Sequence, residues 1–557
     1  MTTKRVVRRP KATKAAKSTA TEIESGTLVK KRKPLRAKAT AATGEREVGT
    51  EAQLKMSLTP TVDTYIEDKE LHEYTDRALF EYGSYVVQDR AVPELRDGLK
   101  PSHRAMLWSA VELGLSPSGS FAKSAKVVGH AIGSYHPHGD VACYDAGVSI
   151  ANFNPPLLWG SGNFGSPVDA PAAMRYSEMK LSRFSQLFMA DSGYLKAVPY
   201  HQNFSEDKKW PVYMPALLPM LLLAGNPTIP AYGVRSGNPS FELAGVAQLT
   251  IAALRGRKIT ANDMIKRLVV QHPYGAVCVA DDEQFETLIS TGRGSLPFHP
   301  QMMADYKRKL IVLQSYSPQV LSNAVSVEKT IRAIADMKGV SQVMSSGGKK
   351  NPDAGTYGCA IAITVGRGVG EDEFYTLVQA IRKRLTKNES YQLGVTIRKL
   401  GEKSKFSHCD FPAFINNWAK YRISLEVDYL NYFKQQALDA LHVVNGKLVV
   451  VATKDSLDRA IHIIRTAKDP KAALMKEFKL DEVQVEAILS MQLRSLAKLV
   501  LDELKNIKAK LVAEIKDYDR RLKEPGQSAA VDLKERLKKY LAKPDMTVSG
   551  LPVYTKE

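Results

Sequence analysis

The most regular pattern of apolar positions lies in the last third of the chain, in two series with the spacing of an α-helix. The first series consists of Phe414, Trp418, Tyr421, Leu425 and Tyr429, and the second of Leu504, Ile507, Leu511, Ile515, Tyr518 and Leu522. Steps of three and four residues place each series on one face of a helix. Both series are too short for a long parallel zipper. They therefore predict an antiparallel coiled coil over residues 406–525, with a helical insert at about 436–496.

Upstream, between residues 57 and 200, apolar residues come in short helical segments that glycine and proline separate. Pro101 suits the first turn of a helix, because its φ is fixed and an N–H at that position would have no helical partner. A second helix is predicted from 122 to 132, and a third begins at Asp140, a good N-cap residue. Three short helices with tight turns favour a helix-turn-helix or winged-helix domain.

Residues 201–405 show a third pattern, in which strand-like apolar runs such as 310–313 and 359–363 are mixed with helical segments. This mixture predicts an α/β domain. Residues 526–557 are predicted to form a C-terminal tail. The expected fold class is therefore multidomain α+β, and a length of 557 residues agrees with several domains.

Charge adds a candidate partner to this picture. The chain carries 79 Lys and Arg against 59 Asp and Glu, and the net charge of +20 favours a polyanion. Residues 1–50 hold 14 basic and 4 acidic side chains and no aromatic residue. Such a segment cannot bury enough apolar surface to fold, so residues 1–56 are predicted to be a disordered basic arm. Contact with nucleic-acid phosphates and a role in solubility are both open for this arm.

The apolar runs and the cysteines indicate which kind of polyanion the chain binds and in which compartment it is found. The longest apolar run, residues 214–225, is shorter than the roughly 20 residues that span a bilayer. The four cysteines lie far apart without a CxxC pair, which argues against a disulfide framework or a zinc ribbon. These features predict a cytoplasmic protein without a membrane partner, and they favour nucleic acid.

The densest polar cluster is RAVPELRDGLKPSHR at residues 90–104, followed by HPHGD at residues 136–140. Its basic side chains surround the start of a predicted helix, where free N–H groups also favour anions. A phosphate site and a solvated basic face are both compatible with this composition. His136 and His138 have no third ligand at a suitable spacing, so no metal site is predicted.

The pair Arg175-Tyr176 follows a loop rich in glycine and proline. Taken alone, this pair is weak evidence for a functional site, because most tyrosines pack in the core with only the hydroxyl in water. A phenol, with an ordinary pKa of about 10, attacks at neutral pH only when cations or a base favour its deprotonated form. The chain contains no ATP-binding P-loop, GxSxG or HExxH motif, which disfavours a self-contained ATPase or hydrolase.

Four segments in order carry a resemblance to a known family: residues 90–104, KVVGHAIGSYHPHGD at 126–140, GSGNFGS at 160–166 and AAMRYSE at 172–178. They resemble the breakage-reunion subunit of type IIA DNA topoisomerases. This family includes gyrase A, the topoisomerase IV C subunit and the phage topoisomerase medium subunit, whose layout is the most similar. Residues 468–496 resemble the family's dimer gate. The resemblance implies a winged-helix DNA-cleavage domain at 57–200, a tower domain at 201–405 and a coiled coil with a helical dimer gate.

The resemblance also implies roles for matching residues. Tyr176 corresponds to the nucleophile that forms a 5′-phosphotyrosyl link with DNA, and Arg175 to the arginine that stabilises charge on the phosphate. Arg90 and His138 complete the implied catalytic set. The implied DNA-binding residues are Lys100, His103, Arg104, His136, Lys123, Lys126 and the intercalating Ile229. Val141 replaces a serine that helps to bind quinolones in bacterial relatives, whereas Asp145 keeps the acidic partner.

The implied function is DNA cleavage and religation in an ATP-dependent type II topoisomerase, which relaxes or decatenates duplexes. The chain is expected to form a homodimer through the C-terminal gate. It is also expected to bind a separate subunit that supplies ATP hydrolysis and holds Mg²⁺ in its toprim domain. The segment after Pro525 is too short for the family's C-terminal β-pinwheel. Two alternatives stay open: a bacterial topoisomerase IV or gyrase subunit without that C-terminal domain, and a non-enzymatic DNA-bending scaffold.

Overall fold

The computed structural model describes residues 5–7, 70–165, 170–272, 275–315, 324–347, 359–398, 404–490 and 498–544. The chain divides into two units: residues 10–81, of which 70–81 are described, and residues 1–9 with 82–557. The described helices are α1 (Leu71–Val86), α2 (Pro101–Glu112), α3 (Ser124–Ser134), α4 (Asp140–Ala151), α5 (Arg183–Phe188), α6 (Met220–Ala224), α7 (Leu243–Leu254), α8 (Ala261–Ile265), α9 (Asp282–Thr291), α10 (Ala324–Ala335), α11 (Glu371–Leu385), α12 (Phe411–Val451), α13 (Lys454–Thr466), α14 (Pro470–Phe478), α15 (Glu482–Leu489), α16 (Lys498–Lys523) and α17 (Pro525–Leu541).

The strands are short and mostly antiparallel. They are β1 (Arg5–Val7), β2 (Ala122–Lys123), β3 (Leu158–Ser161), β4 (Glu178–Leu181), β5 (Tyr200–Gln202), β6 (Lys209–Pro211), β7 (Asn226–Ala231), β8 (Val234–Asn238), β9 (Ser240–Phe241), β10 (Val270–Gln271), β11 (Val277–Cys278), β12 (Arg293–His299), β13 (Met302–Asp305), β14 (Leu310–Leu313), β15 (Val340–Gly347), β16 (Cys359–Val365), β17 (Lys387–Gln392), β18 (Gly394–Ile397) and β19 (Lys405–His408). A π-helical turn, Val87–Ala91, and a 3₁₀ turn, Tyr194–Lys196, complete the elements.

Helices α2, α3 and α4 pack on one another and on a three-stranded sheet of order β2-β4-β3. Pro101 is the first residue of α2, as predicted. Helix α3 begins at Ser124 and not at residue 122, because Ala122 and Lys123 pair with β4. Helix α4 begins at Asp140, but Gly139 is the N-cap residue and no side chain caps this end. The backbone, and not an aspartate cap, therefore starts α4.

Residues 201–405 contain the five-stranded sheet β11-β12-β17-β8-β7 and four strands of a second sheet, β1-β15-β16-β14-β13, whose edge strand β1 comes from Arg5–Val7. The side chains of Leu296 and Phe298 in the first sheet join a large core that also contains Leu107 and Phe184. The second sheet has a core of its own with α11, built around residues such as Ile363. The predicted boundary at residue 200 thus does not separate two cores. Mixed strands and helices are present in this range, as predicted.

Helices α12 and α16 run antiparallel, in the predicted direction. Arg521 Nη2 lies 3.0 Å from Glu426 Oε1, and Lys434 Nζ lies 2.6 Å from Asp519 Oδ1. The start of the first apolar series has a different partner from the predicted one, because Phe414 and Trp418 are buried in the large core and Trp418 Nε1 donates to Arg96 O at 3.0 Å. Helical spacing identifies an apolar face but not the element that covers it.

The insert between these helices starts later than predicted. Helix α12 continues to Val451, so residues 436–451 belong to the long helix. Helices α13, α14 and α15 then enclose a small core of Val450, Ala460, Leu474, Leu480, Val485 and Ile488. Helix α15 folds back on α12, where Gln484 Nε2 donates to His442 O at 3.0 Å.

Residues 525–541 form a helix and not the predicted tail. Ala529, Ala530, Leu533 and Tyr540 of α17 are buried in the large core. Asp532 of α17 also faces Arg422, a fully buried guanidinium whose Nη1 lies 3.0 Å from Glu426 Oε2. The apolar face of α17 therefore packs in the large core of the protein. Residues 545–557 lie outside the described residues.

The predicted basic arm is described only at Arg5–Val7, which pair as β1 with residues 343–345 of β15. These three residues therefore form a strand, while the other residues of 1–56 lie outside the described part of the chain. Cys143, Cys278 and Cys409 carry free thiols. None of the described helices combines the length and apolarity that crossing a membrane requires.

Because it contains buried histidines, the folded protein is expected to lose stability in acid. Burial lowers the pKa of His272 to about 3, and the backbone N–H of Ala276 approaches its Nδ1 at 3.4 Å. In the unfolded chain the imidazole of His272 binds a proton below a pH of about 6.5, whereas in the folded chain it does so only at a pH of about 3. The stabilisation is therefore complete above pH 6.5 and is lost as the pH falls towards 3, by about 1.4 kcal/mol per pH unit.

Urea unfolding of the His272→Asn variant at several pH values between 6.5 and 3 tests this contribution. We expect the variant to lose less stability than the wild type over that range, because asparagine keeps a polar group there but does not titrate. The matched control is His462→Asn, which replaces an exposed histidine on α13. Parallel pH profiles for the wild type and His272→Asn would contradict the prediction.

Candidate active site

Tyr176 stands on a tight turn immediately before β4, and 68% of its surface is exposed to solvent. Its backbone N–H donates to Ala173 O at 2.8 Å, which closes the turn. The guanidinium carbon of Arg175 lies 4.8 Å from the centre of the Tyr176 ring, a cation–π contact. The predicted pair is therefore together, and the phenol is accessible to a large substrate.

A buried polar network, which the sequence did not reveal, fixes the turn on the side that faces the protein interior. The hydroxyl of Tyr144 donates to Ala172 O at 2.7 Å and lies 2.7 Å from Ser177 Oγ. Ser177 Oγ lies 2.8 Å from Ser124 Oγ, and the N–H of Ser124 donates to Ser177 O at 3.0 Å. The residue after the nucleophile candidate is thus tied to the start of α3 and to α4. Only the position of Ser177 beside Tyr176 hinted at this role.

This network predicts a positioning role for Tyr144. The Tyr144→Phe variant loses the bond to Ala172 O, so the turn is less fixed and about 1–2 kcal/mol of folding stability is lost. If Tyr176 attacks DNA, we expect cleavage about tenfold slower with unchanged DNA affinity, because orientation and not binding is altered. Tyr200→Phe is the control, since it removes a tyrosine hydroxyl that makes one bond, to Leu195 O at 3.0 Å, outside this network. Equal cleavage rates in Tyr144→Phe and Tyr200→Phe would contradict the role.

Lys123 and Lys126 lie beside this turn at the start of α3. The ammonium group of Lys123 is 2.9 Å from Glu178 Oε1, across the β2–β4 pair. Lys126 is exposed on α3. Both are positioned on the solvent side of the domain, as a predicted contact with DNA phosphates requires.

His136 and His138 form a second group at the end of α3. Their rings stack at 3.9 Å between centres, with an angle of 11° between the planes. Burial, with added repulsion from His138 and Arg90, lowers the pKa of His136 to about 4, so this ring is neutral at pH 7. The Nδ1 atom of His138 is buried without a hydrogen-bond partner among the described residues. Arg90, on the π-helical turn, is exposed.

Lys100 and His103 form a third group at the start of α2. Burial lowers the pKa of Lys100 to about 8. Burial, with the charges of Lys100 and Arg104, lowers the pKa of His103 to about 3. The ring of His103 packs edge-on against Phe153, 5.7 Å away, and its Nδ1 has no hydrogen-bond partner in the described part of the chain. Lys100 and His103 both line a cavity at the start of α2.

Arg104 does not have the position that its predicted role requires. It is 4% exposed, and its Nε donates to the buried Asp97 Oδ2 at 2.7 Å while Nη2 donates to Asp97 Oδ1 at 3.1 Å. Burial works against the charged form, but the Asp97 carboxylate raises the pKa of Arg104 above its ordinary value. The structure does not support the predicted contact of Arg104 with DNA, because its Nε and Nη2 donors bind Asp97 inside the protein.

The three remaining predicted positions are Ile229, Val141 and Asp145. Ile229 is in β7, and its backbone pairs with Ser236 of β8, whereas its side chain lies outside the described residues. Val141 is 67% exposed on the first turn of α4. Asp145 lies one turn further along the same exposed face, and partial burial raises the pKa of its carboxyl.

In the described part of the chain, the predicted site residues thus form three separate groups, around Tyr176, His136 and Lys100. No hydrogen bond, ion pair or ring contact among them joins Tyr176 to Arg90, His136 or His138. The same part of the chain contains no group of three or more His, Cys, Asp or Glu that could hold a metal ion. Chemically, the arrangement offers an exposed phenol, a neighbouring guanidinium and several basic groups suited to phosphates.

Comparison with known proteins identifies the family. The family model for the A subunit of DNA gyrase/topoisomerase IV matches residues 90–535. The chain is 33% identical over 446 residues to the A subunit of DNA topoisomerase 4 from Escherichia coli (strain K12), covering 78% of this chain and 56% of the relative. It is 32% identical over 466 residues to the protein of that name in Pseudomonas aeruginosa, covering 81% and 58%.

It is also 30% identical over 473 residues to the A subunit of DNA gyrase from Nocardioides sp., covering 81% of this chain and 49% of that relative. The chain therefore spans about half the length of the curated relatives that it matches. The matched region contains every predicted site residue, from Arg90 to Ile229. The chain belongs to the family formed by the A subunits of DNA gyrase and topoisomerase IV.

Proposed function

We propose that this protein is the DNA-cleaving and religating subunit of an ATP-dependent type II DNA topoisomerase. In this role it makes a transient double-strand break, through which a second duplex passes. The observation that carries the proposal is the exposed phenol of Tyr176, stacked beside the Arg175 guanidinium on a turn that a buried network fixes. A tyrosine with only a packing role does not need this exposure or this support.

The proposed chemistry is a reversible transesterification. The phenolic oxygen of Tyr176 attacks a backbone phosphorus atom, the bond to the 3′ oxygen breaks, and the proton lost by the phenol ends on the 3′ hydroxyl. The product is a 5′-phosphotyrosyl ester, so the energy of the broken bond is retained and religation is the reverse reaction. The Arg175 guanidinium lies where it can oppose the negative charge that develops on the phenolic oxygen and the phosphate.

We assign supporting roles to the basic groups around this centre. Arg90 and His138 are proposed to contact the reacting phosphate, and the exposed position of Arg90 supports this role. His136 is neutral at pH 7, so it would take part as a hydrogen-bonding group and not as a fixed charge. Lys123 and Lys126 would hold the flanking backbone, and Ile229 would intercalate to bend the duplex. Val141 and Asp145 would face the drug pocket, where valine disfavours quinolones.

Mg²⁺ and ATP are proposed to reach the complex through a partner subunit. The described residues of this chain do not present a group of three or more His, Cys, Asp or Glu side chains that could hold a metal ion. The partner's toprim domain would hold Mg²⁺, and its ATPase domain would drive strand passage. The substrate is double-stranded DNA, and the proposed compartment is the cytoplasm, that of the host cell if a phage encodes the protein.

The proposed architecture follows the family. Helices α2–α4 with sheet β2-β4-β3 would be the winged-helix cleavage domain, the segment 201–405 the tower, and α12 with α16 the coiled coil. Helices α13–α15 would form the homodimer gate. In support, Val483 and Leu489 of α15 and Ile464 of α13 are exposed apolar side chains at this end of the helix pair.

The test is to reconstitute the chain with its ATPase and toprim subunit on end-labelled duplex DNA and then to denature the complex. A topoisomerase leaves protein covalently attached to the 5′ ends. The rival, a DNA-bending scaffold with the same fold, leaves no adduct. Absence of any adduct with a partner that binds the chain and hydrolyses ATP would contradict the proposed function.

A further inference from the structure

A cavity of about 130 Å³ lies at the start of α2, and Tyr176 is not among its lining residues. Its walls come from three separate parts of the chain: the segment before and after the start of α2, the end of α4, and the start of β7. The lining residues are Pro93, Gly98, Lys100, His103, Ser149, Phe153, Gly225 and Asn226. One water occupies about 30 Å³ in the liquid, so the space is sufficient for a tetrahedral oxyanion.

The polar groups in this lining lack the partners that buried groups normally have. Asn226 is 6% exposed, and its Nδ2 donor has no hydrogen-bond acceptor among the described residues. The buried Nδ1 atom of His103 also has no partner there. Lys100 is half-buried without an ion pair in the described part of the chain, and burial is the sole cause of its lowered pKa. Buried polar groups without partners are rare in folded proteins, and these three residues line the same cavity, which points to a missing ligand.

The chemistry of the lining selects the class of ligand. It contains an ammonium group, an imidazole, an amide and the hydroxyl of Ser149, and none of its residues is Asp or Glu. A metal cation would face Lys100 without a carboxylate to hold it, whereas an anion would satisfy both Lys100 and the Asn226 donor. The backbone fixes the walls, because a side chain at Gly98 would lie 2.5 Å from the N atom of Leu221.

We propose that this cavity is a binding pocket for a single phosphate group, and that Asn226 donates a hydrogen bond to it together with Lys100 and His103. Asn226 is then a phosphate-binding residue of this chain, which the sequence analysis did not identify. The phosphate comes from the DNA backbone or from free phosphate, and the first source rests on the proposed function. Both sources share the same chemistry, so the experiment has one arm for each.

The first arm titrates the whole chain with inorganic phosphate in a calorimeter. Asn226→Leu keeps the size of the side chain but removes the donor, and we expect phosphate to bind at least about tenfold more weakly. The urea unfolding midpoint without phosphate should rise or stay constant, because an unsatisfied buried donor has been removed. Asn226→Asp, which adds a negative charge at nearly the same shape, should abolish binding.

The matched control is Asn238→Leu on the neighbouring strand. Asn238 pairs directly with Asn226 in the sheet, but its Nδ2 donates to Leu221 O at 2.8 Å and to Pro239 O at 2.9 Å. This substitution should lower the unfolding midpoint and leave phosphate affinity unchanged. The two leucine variants are thus expected to differ in the sign of the stability change and in phosphate binding. Wild-type affinity for phosphate in both Asn226 variants would overturn the pocket.

The second arm measures DNA cleavage in the reconstituted complex. If the phosphate belongs to DNA, inorganic phosphate competes with duplex binding in the wild type but not in Asn226→Leu, and the variant forms about tenfold less adduct. If only free phosphate enters, the variant cleaves like the wild type while its phosphate titration still fails. A wild type that binds phosphate but forms no adduct contradicts the proposed function alone. A wild type that forms adduct, with Asn226 variants equal to it in both arms, contradicts the pocket alone.

Discussion

Tyr176→Phe is expected to abolish the covalent DNA adduct, with a loss of at least about 10³-fold in the rate of cleavage. Phenylalanine keeps the ring that Arg175 contacts but removes the oxygen that would form the bond to phosphorus. Nothing else in the described turn offers an equivalent nucleophile at that position, because Ser177 is buried in the network with Tyr144 and Ser124. The measurement is the yield of 5′-linked protein after denaturation, over a time course with saturating DNA.

The phenylalanine variant should still bind DNA and fold normally, since the Tyr176 side chain is largely outside the core. Tyr375→Phe is a suitable control, because Tyr375 is another exposed tyrosine and lies on α11, in the segment with its own core. Arg175→Lys keeps a positive charge but loses the planar group over the ring, and we expect an intermediate loss of cleavage. Adduct formation by Tyr176→Phe at the wild-type rate would refute the assigned nucleophile.

Asp97→Leu is expected to destabilise the fold by about 3–5 kcal/mol, the largest stability effect that we predict. The substitution leaves the buried Arg104 guanidinium without its carboxylate, and a buried charge without a partner is costly. It also removes the acceptor for the backbone N–H groups of Leu99 and Met214, 3.0 Å and 2.9 Å away. Urea or thermal unfolding of the whole chain measures the loss.

Arg104→Met should cost less than Asp97→Leu, because the carboxylate of Asp97 keeps its two backbone donors. It should also leave the slope of log K against log[salt] for DNA binding unchanged, since Arg104 is occupied inside the protein. Lys126→Met, at an exposed position, should reduce that slope by about one unit if the lysine contacts a phosphate. A reduced salt slope in a stable Arg104→Met protein would restore Arg104 to the DNA-binding set.

Local features of the fold could be predicted because their causes are local. The fixed φ of Pro101 marks the start of α2, and the strand-like runs at 310–313 and 359–363 fall in β14 and β16. The antiparallel direction of α12 and α16 also followed from two short series at helical spacing. By contrast, the short length of residues 526–557 predicts a tail, although residues 525–541 form a helix with an apolar face.

The candidate site, too, has features that the sequence could predict and features that it could not. Arg175 and Tyr176 are adjacent in the chain, so their contact could be expected, and family motifs added the basic positions around them. The sequence could not show that Tyr144 and Ser124 support this turn, since 33 and 53 residues separate them from Ser177. Nor could it distinguish Arg104, whose donors face Asp97, from the basic groups that have no internal partner.

Residue identity and spacing within a few turns were enough to indicate the family, the nucleophile candidate, the excess of positive charge and the helical segments. Three further properties required the folded chain: which charges are free, which apolar faces pack together, and that Asn226 meets Lys100 and His103 at one cavity. The physical reason is that the partners of a side chain depend on how distant segments fold onto each other. Burial then decides whether a charge is paired or available.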